Sequence, residues 1–416
     1  MPEHKVIIVG GGVIGACTAL ALCQRGHAVT LLDKGRFGRG ASYGNAGLIS
    51  PGHAPIPQPG TVARGLKWML DPTSPLYIAP RLSPSMLRWM IHFARACKPA
   101  AFSRNMRVIA SLSQQTALAF QTIADLGIEF DLRTHGYMDV YATEAGLTHA
   151  REHAQLVKAL GIHDEIIPGT EVHKREPALR EGLAGAAWHH DGAFADPFRF
   201  TTGVIEYASQ HHALDCRPNA PVASIETSDN NCIGVRLESG QVLTADRVVL
   251  CAGIHSDPLA RTIGIRVPMQ AAKGYHVHVA QSSPAMKTAA VLGETYVAVT
   301  PLGNELRLAG TLELSGTNLN IRRKRLDMLT RGASKYIPAI AESAPVTDEW
   351  VGMRPCTADG LPVIGWSPTV KHLMIATGHA MMGFWLAPIT ARLVAQLMHN
   401  EQPSIDLTHL SPERFH

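Results

Sequence analysis

Val6-Ile7-Ile8-Val9-Gly10-Gly11-Gly12-Val13-Ile14-Gly15 is the stretch that decides the fold of this chain. Its first four residues are apolar and β-branched, as in a buried strand of a parallel sheet. The glycines that follow have the spacing Gly-x-Gly-x-x-Gly and open a helical segment that runs to about Arg25, with Gly26 placed to end it. Ala28–Leu32 is typical of a second strand, and Asp33 follows it. The stretch predicts the first βαβ unit of a Rossmann-type sheet.

A unit of this kind binds the diphosphate of a dinucleotide. Gly10 permits the tight turn, Gly12 lets the backbone approach a pyrophosphate, and Gly15 lets the helix lie close to the sheet. The helix N-terminus supplies free N–H groups, and Asp33 is placed to accept hydrogen bonds from the ribose hydroxyls. The pattern does not distinguish NAD from FAD.

The small residues of segment 38–48 bear on that choice. They would let the chain wrap closely around an extended dinucleotide, with Ser42 and Asn45 as polar contacts. A nicotinamide dehydrogenase would more often continue into another crossover helix, while a flexible surface loop has a similar composition. From the residues alone, both readings of this segment stay open.

Length and composition indicate a globular protein of two domains. The chain has 416 residues, of which 46% are hydrophobic and 17% are charged. Its 38 basic and 34 acidic residues leave a net charge of +4 without clustered Lys and Arg, so nucleic acid is not a predicted partner. Seven cysteines without a Cys-x-x-Cys pair favour reduced thiols, and no targeting or spanning segment is read; both predict a cytoplasmic protein.

Histidines are numerous, with 21 in the chain. His276 and His278 alternate along one strand, and adjacent pairs occur at 189–190 and 211–212. No carboxylate or cysteine stands beside them at ligand spacing. We therefore expect core or surface histidines and no metal site.

Several motifs together resemble one family. They are the Gly10–Asp33 unit, Ala41-Ser42-x-x-Asn45-Ala46-Gly47-Leu48-Ile49-Ser50-Pro51-Gly52, Lys273-Gly274-Tyr275, Gly352-x-Arg354-Pro355-x-Thr357-x-Asp359-Gly360-x-Pro362 and Thr377-Gly378-His379. In this order, through almost the whole chain, they resemble the FAD-dependent D-amino-acid oxidase/dehydrogenase superfamily. The bacterial D-amino-acid dehydrogenase branch is the most similar part of it.

The resemblance implies an α/β fold with two interleaved domains. Residues 1–80, 195–264 and 347–416 would form the Rossmann-type FAD domain. Residues 81–194 and 265–346 would form an α+β substrate domain with a mixed or antiparallel sheet and covering helices. FAD would be held non-covalently. The predicted FAD contacts are Gly10, Gly12, Val13, Ile14, Gly15, Asp33, Lys34, Ala41, Ser42, Asn45, Ala46, Gly47, Leu48, Val222, Ala252, Gly253, Arg354, Gly378, His379, Ala380, Met381, Met382 and Gly383.

The family likeness implies the chemistry of the substrate site. A hydride would pass from Cα of a small D-amino acid to flavin N5, giving an imine and then a 2-oxo acid, or a pyrroline carboxylate from a proline. Arg354 would anchor the carboxylate through two parallel hydrogen bonds, unless it is a buried arginine that satisfies carbonyl groups. Tyr275, Tyr296 and His379 are further candidates, each of which could equally be structural.

Substrate and electron acceptor stay open in the sequence. D-Proline, hydroxy-D-proline and D-alanine fit the branch, and glycine, sarcosine and L-imino acids are alternatives. A rival function is that of a flavin subunit in an electron-transfer complex. The Pro-rich segment 55–99 contains Trp68, Met69, Leu70, Met86, Leu87, Trp89, Met90 and Ile91. These residues predict two helices packed on the substrate domain or an apolar surface for a membrane or a quinone. The sequence does not specify an oligomeric state.

Overall fold

The computed structural model describes residues 3–69, 74, 76–79, 83–281, 283–340 and 345–415. Its strands, in chain order, are β1 (Lys5–Val9), β2 (Ala28–Leu32), β3 (Leu48–Ile49), β4 (Leu76–Ile78), β5 (Tyr137–Tyr141), β6 (Asp164–Pro168), β7 (Gly185–His189), β8 (Ala193–Phe194), β9 (Leu214–Arg217), β10 (Val222–Ser228), β11 (Asn231–Leu237), β12 (Val242–Thr244), β13 (Arg247–Leu250), β14 (Met269–Ala280), β15 (Ala290–Leu292), β16 (Val297–Leu302), β17 (Glu305–Leu314), β18 (Val346–Thr357), β19 (Val363–Trp366) and β20 (Leu373–Thr377).

The α-helices lie between these strands and over them. They are α1 (Val13–Gln24), α2 (Thr61–Met69), α3 (Pro84–Ala96), α4 (Pro99–Ser113), α5 (Thr116–Ala124), α6 (Glu144–Lys158), α7 (Gly169–Arg175), α8 (Pro197–His211), α9 (Ser256–Arg261), α10 (Arg323–Ser334) and α11 (Gly383–Met398). α4 and α5 cover most of residues 103–126.

A six-stranded sheet forms the first layer, in the order β19-β20-β13-β1-β2-β9. Its strands run parallel except β19, which is antiparallel to β20. β1 and β2 pair from Lys5 with Ala28 to Val9 with Leu32, so the predicted βαβ unit is confirmed. α1 packs against both α8 and α11, and the largest apolar core of the protein lies between these helices and the sheet. The parallel order places the carboxyl ends of the strands at one edge, where α/β sheets bind ligands.

One strand near this sheet differs from expectation. The sequence suggests that residues 218–225 continue the same sheet, but the strand that does so is β9, which pairs with β2. β10 instead joins β11 and β12 in a separate three-stranded antiparallel sheet. The hairpin expected near residues 232–243 is confirmed by β11 and β12.

A larger, mixed sheet forms the second body of structure. Its order is β18-β14-β17-β16-β15-β5-β7-β6, and β4 also pairs with β17. The long strands β14, β17 and β18 pair antiparallel, whereas β15 with β5 and β17 with β4 are parallel. α10 covers one face of this sheet and contributes Leu326, Leu329 and Ala333 to its apolar core. This is the α+β architecture that the family likeness implies.

The predicted domain ranges stay a proposal about how the chain divides. β4 lies inside the range 1–80 and β18 mostly inside 347–416, yet both pair with strands of the larger sheet. The two sheets are therefore more interleaved than the ranges imply. Among the described helices, none combines the length and the apolar character needed to cross a membrane.

Candidate active site

The glycine turn after β1 lies at the carboxyl edge of the six-stranded sheet. Gly10 N–H donates to the Leu32 carbonyl over 2.8 Å, and Cys251 N–H donates to the Val9 carbonyl over 2.8 Å. The turn is tight, because a Cβ at Gly15 would overlap the Gly10 carbonyl oxygen. Gly12 caps α1 without a side-chain hydrogen bond. The first turn of the helix is thus available to an anionic group such as a pyrophosphate.

Asp33 closes β2 beside this turn. One carboxylate oxygen accepts from Gly11 N–H and the other from Gly35 N–H, each over 2.8 Å. Each oxygen keeps a further lone pair, so the carboxylate can still accept from ribose hydroxyls. Lys34 Nζ lies 2.9 Å from His255 Nε2. Ala220 N–H donates to the Asp33 carbonyl, and Val222, two residues later, begins β10. These groups surround the expected place of an adenosine.

The loop of residues 41–50 is tied to both ends of the predicted cofactor site. Ser42 Oγ accepts from Val13 N–H over 2.9 Å. Asn45 donates to the Met381 carbonyl over 3.0 Å and accepts from Gly47 N–H over 2.9 Å. The loop thereby connects the start of α1 to the turn that enters α11. Its residues Ala41, Ala46 and Leu48 are carried along it, and Leu48 pairs with Phe194.

The turn from Thr377 to Gly383 completes the edge. Thr377 Oγ1 donates to the carbonyl of Gly253 over 3.0 Å, which fixes the turn beside residues 252–253. Gly378 has φ +78°, and a Cβ there would approach Thr357 Cγ2 to 2.8 Å. Ala380 N–H donates to the Pro355 carbonyl over 3.1 Å. The glycine turn, the loop and this turn together form a cradle that fits an extended dinucleotide.

Arg354 lies next to this cradle, on β18. It pairs with Ala272 of β14, and its guanidinium covers Gly274 so closely that any Cβ at that position would overlap it. Nη1 donates to the Thr311 carbonyl over 2.9 Å. Burial lowers the pKa of Arg354, but the guanidinium remains a cation. Among the described residues, no carboxylate forms an ion pair with it, so it is free to receive one from a ligand.

Thr311 occupies a β-bulge opposite Arg354. Between Lys273 and Tyr275, β14 advances two residues while its partner β17 advances three, from Glu313 to Gly310. Thr311 has φ +60°, and its Oγ1 is buried without a hydrogen-bond partner among the described residues. Bulges of this kind redirect backbone groups beside active sites. Here the bulge turns a carbonyl towards Arg354.

Trp350 packs over glycines on the same face of the sheet. A Cβ at Gly44 or at Gly352 would overlap its ring, and the ring stacks on His276 with centroids 5.4 Å apart and planes at 18°. The loop of residues 41–50 and β18 can therefore approach only because both positions are glycine. Burial, and then the charge of Arg307, lowers the pKa of His276 to about 3, so its ring is neutral.

Arg307 joins the larger sheet to the same loop. Nη1 donates to the Asn45 carbonyl over 2.8 Å, and Nε donates to His278 Nε2 over 2.9 Å. His278 must therefore carry its proton on Nδ1, which donates to Glu305 over 3.0 Å. This buried arginine orients Asn45, which in turn holds Met381.

Tyr275 lies on the opposite face of the sheet from Arg354. It pairs with Val351, whereas Arg354, Gly352 and Trp350 pair with Ala272, Gly274 and His276. Its hydroxyl donates to the buried Glu313 over 3.0 Å. Since alternate residues of a strand face opposite sides, Tyr275 cannot reach a ligand held by Arg354. The structure speaks against its predicted role and gives it a structural contact instead.

Of the two candidate tyrosines, Tyr296 is exposed whereas Tyr275 is fully buried. It directly precedes Val297, which pairs with Gly310, the neighbour of the Thr311 bulge. Its side chain is 49% exposed and packs edge-on against Trp68, with ring centroids 5.7 Å apart. Tyr296 has φ +54° and lies just before β16, so strand alternation does not fix the face on which its side chain lies.

His379 directs its imidazole away from the cradle. Nε2 lies 2.9 Å from Thr390 Oγ1 inside α11, and the residue is 2% exposed. Burial lowers the pKa of His379 to about 3, so the ring stays neutral. The backbone around His379 remains in the turn beside Pro355 and Cys356. The side chain thus has a structural contact within the protein.

α3 closes the site from the segment 55–99. Met86 and Trp89 are buried against Ala272 and Cys356, and Trp89 donates to the Cys356 carbonyl over 3.0 Å. The prediction of a helix packed on the substrate domain is confirmed for these two residues. Leu70 and the side chain of Met69 lie outside the described part of the chain.

The sequence analysis did not single out Trp350, Thr311 or Arg307 as site residues. Trp350 stands two residues before Gly352, so strand alternation alone places it on the face of Arg354. That signal was present in the sequence. The bulge at Thr311 and the contact of Arg307 with Asn45 had none, because both depend on strand register and on packing between distant segments.

The chain is similar in sequence to known proteins along almost its whole length. A family profile described as FAD dependent oxidoreductase matches residues 5–397. The chain is 31% identical to a D-amino acid dehydrogenase of Xanthobacter autotrophicus, over 99% of both chains. It is 32% identical to a D-amino acid dehydrogenase of Phenylobacterium zucineum, over 97% of this chain and 96% of that one.

Solved structures agree with the fold. Glycine oxidase from Geobacillus kaustophilus superposes with a TM-score of 0.75 at 25% identity, over 98% of both chains. The glycine turn, the loop of residues 41–50, the Thr377–Gly383 turn and the match over nearly the whole length lead to one conclusion. The chain belongs to the family of FAD-dependent oxidoreductases and is an FAD-binding enzyme.

Proposed function

We propose that this enzyme oxidises the Cα–N bond of a small neutral D-amino acid, such as D-alanine, D-proline or a hydroxy-D-proline. The observation that carries the proposal is the part-buried guanidinium of Arg354, which has no carboxylate partner among the described residues and lies next to the Thr377–Gly383 turn. Full-length relatives named D-amino acid dehydrogenase support the same substrate class.

The cation of Arg354 selects and orients the substrate. Its planar donors match a carboxylate through two parallel hydrogen bonds, which fixes direction as well as charge. The Thr311 carbonyl and the backbone over Gly274 hold the guanidinium in one orientation. Fixing the carboxylate fixes where Cα–H points, which is positional catalysis.

The rest of the site favours a neutral amine and a dry path. No anionic side chain pairs with Arg354 among the described residues, so no recorded group there stabilises an ammonium ion. Trp350, Trp89 and Met86 surround the strands that carry Arg354 and limit access of water. FAD, which the glycine turn, the loop of residues 41–50 and the Thr377–Gly383 turn would hold, would supply the hydride acceptor for Cα. Water would then hydrolyse the released imine of a primary amino acid to a 2-oxo acid and ammonia, whereas a proline would leave as a pyrroline carboxylate.

We propose that the flavin is held non-covalently. Cys356 is the cysteine nearest to the Arg354 element, and it is 2% exposed. Burial raises the pKa of its thiol to about 12, so it is protonated and not nucleophilic. Acid precipitation should release all of the yellow chromophore into the supernatant, and flavin that stays with the protein would contradict the proposal.

Bleaching of the bound flavin under anaerobic conditions tests the substrate. D-Alanine, D-proline and hydroxy-D-proline should reduce the flavin, and their L-enantiomers should not. Glycine and sarcosine belong in the same panel, because the structurally similar protein from Geobacillus kaustophilus is a glycine oxidase. Bleaching by L-imino acids alone would contradict the D-amino-acid assignment, and no bleaching by any amine would favour a role as a flavin subunit of a larger complex.

We also propose a quinone or similar acceptor, reached from a membrane surface that α3 touches peripherally. α3 exposes Leu87, Met90 and Ile91 at 62%, 41% and 46%, on one helical stripe. Arg88 and Arg95 flank the stripe and would attract anionic lipids. Flotation with anionic liposomes should carry the wild type upward and should fail for Ile91→Asp. Equal flotation of both would contradict the membrane contact.

A further inference from the structure

A second group of polar side chains lies far from the flavin cradle. Glu3 precedes β1, His27 precedes β2, and His399 follows the end of α11. One ligand atom from each of the three lies within 4.8 Å of the others. The parallel topology puts them at the amino edge of the six-stranded sheet, opposite the edge that holds the glycine turn.

His399 is oriented as a metal-bound histidine would be. Its Nδ1 lies 2.9 Å from the Ala395 carbonyl, and since a carbonyl only accepts, Nδ1 carries the proton. Nε2 then points at Glu3, whose Oε2 is 3.0 Å away. Two lone pairs at this distance require a positive charge between them, either a proton or a metal ion. Histidine ligands commonly donate their other N–H to a backbone carbonyl in this way.

The surroundings of His27 favour a metal ion, and not a proton, between Glu3 and His399. It is 1% exposed, and neither of its ring nitrogens has a hydrogen-bond partner among the described residues. Its ring lies between those of His4 and His399, with centroid distances of 5.5 Å and 4.9 Å. A proton shared by Glu3 and His399 would leave His27 unsatisfied, which is rare for a buried polar group. A metal ion would satisfy its lone pair as well.

Nearby charges permit a cation here. Glu3 is open to solvent, with 49% of its side chain exposed, and Glu401 lies close enough to sense His399 electrostatically. Arg25 is paired with Glu401, and Arg247 is stacked over Trp366 with 5.3 Å between Cζ and the ring centroid. Arg25 is thus neutralised by Glu401, whereas the charge of Arg247 still reaches His27.

We propose that Glu3, His27 and His399 bind one divalent transition-metal ion of the zinc type. Two imidazole nitrogens and one carboxylate oxygen are ligands that zinc accepts, with a water molecule or His4 in the fourth position. Metal–ligand bonds of about 2.0–2.1 Å would bring the ligand atoms to roughly 3.3 Å from one another, which small side-chain rotations achieve. The ion would clamp the N-terminal segment and the end of α11 to the sheet.

A similar group on the larger sheet does not form such a site. His276, His278 and Asp348 also lie within reach of one another. There, however, Arg307 donates to His278 Nε2, which places the proton of His278 on Nδ1, the nitrogen that faces Glu305. The single lone pair of the His278 ring, on Nε2, is therefore already used, and the guanidinium of Arg307 would repel a metal ion. The comparison shows why the orientation of His399 matters.

The metal would act on stability and not on flavin chemistry. The 16 residues of α11 lie between the Thr377–Gly383 turn and His399. At 1.5 Å per residue, the helix separates the two sites by roughly 24 Å. A ligand that binds only the folded state raises the unfolding temperature, and the stabilisation grows with the logarithm of the ratio of its concentration to its Kd. Zinc should therefore stabilise the enzyme without changing its turnover.

The experiment uses the untagged holoenzyme, treated with a chelator, incubated with zinc chloride and freed of excess zinc by gel filtration. Elemental analysis should find one zinc ion per chain, and zinc should raise the unfolding temperature. Glu3→Gln and His27→Gln should each weaken zinc binding by at least ~10-fold, since even changes outside the first ligand shell do so. His149→Gln serves as the control, because His149 is an exposed histidine paired only with Glu152.

Two results would overturn the proposal. One is a wild-type enzyme that retains no zinc after gel filtration. The other is zinc retained equally by Glu3→Gln and His149→Gln, which would mean surface binding elsewhere. Glu3 is exposed, so its variant keeps the fold even if the buried His27→Gln does not, and flavin absorbance reports folding in every sample.

Discussion

The two faces of β14 carry charged clusters of opposite character. On one face, the cations of Arg354 and Arg307 have no carboxylate ion pair among the described residues. On the other, the carboxylate of Glu313 is fully buried, with Lys273 and Arg322 each 3.3 Å away and the Tyr275 hydroxyl at 3.0 Å. In the second cluster the buried carboxylate is fully paired, and these contacts stabilise the fold. The first cluster leaves the part-buried cation of Arg354 available to pair with a substrate carboxylate.

Removing Arg354 tests the first face most strongly. Loss of one partner of a buried, hydrogen-bonded charge pair costs about 2–5 kcal/mol, so Arg354→Ala should lower kcat/KM for D-alanine by roughly 30-fold to 3000-fold. Steady-state kinetics with an artificial electron acceptor would measure this. Arg354→Lys should recover only part of the loss, because lysine lacks the planar fork. Unchanged kinetics with full flavin content would refute the anchor.

Gly274→Ala tests whether the backbone positions that cation. The new methyl group would overlap the guanidinium of Arg354, so the anchor must move. We expect kcat/KM to fall by about 10-fold to 100-fold, as displacements of ~1 Å commonly cause. Gly65→Ala is the matched control, because its methyl group would meet only Leu76 Cδ2 at 3.6 Å. Equal kinetics for the two variants would show that Arg354 needs no glycine beneath it.

Tyr275→Phe tests the face of β14 on which Glu313 is paired. It removes a hydrogen bond to the buried Glu313, so the free energy of unfolding should fall by about 1–3 kcal/mol. Since Tyr275 faces away from Arg354, the kinetic constants should stay within about 2-fold. Urea unfolding and steady-state kinetics of the same sample measure both. A large kinetic effect with unchanged stability would return Tyr275 to the substrate site.

The pH dependence of stability sharpens the same contrast. Burial raises the pKa of Glu313, but hydrogen bonds and the charge of Lys273 outweigh it, so the net pKa lies below its usual value of 4.5. A lowered pKa contributes stability above 4.5, and that stability is lost as the pH falls through the folded-state pKa. Urea midpoints between pH 7 and pH 3 should therefore fall more steeply for the wild type than for Glu313→Gln. Parallel curves would contradict this role of Glu313.

Tyr296→Phe should have the smallest effect. Tyr296 is about half exposed and its ring keeps the contact with Trp68, so KM should change by less than about 3-fold, near the low end of what one hydrogen bond contributes. Trp68→Ala removes the packing partner and should change KM more. A large loss in Tyr296→Phe would mean that the hydroxyl turns inward to bind the substrate.

Much of the cofactor side of this protein follows from local sequence. The Gly10–Gly15 turn, Asp33 and the loop at Ser42 and Asn45 are short motifs, and each acts through its own backbone geometry. The substrate side follows less well. Arg354 was identifiable by its motif, but Tyr275 and Tyr296 are equivalent as sequence signals, and only the strand register shows that Tyr275 faces away from Arg354.

The glycine spacing and the β-branched strand by themselves determined a Rossmann-type unit and a dinucleotide, because those residues dictate local turns and strand burial. Only the tertiary structure decided which polar groups on the second sheet are satisfied. Pairing of β14 with β17 and β18 placed Arg354 over Gly274 and turned Tyr275 away, and folding of the chain ends brought Glu3 and His27 to His399. Such contacts join residues from tens to hundreds of positions apart, and local patterns carry no record of them.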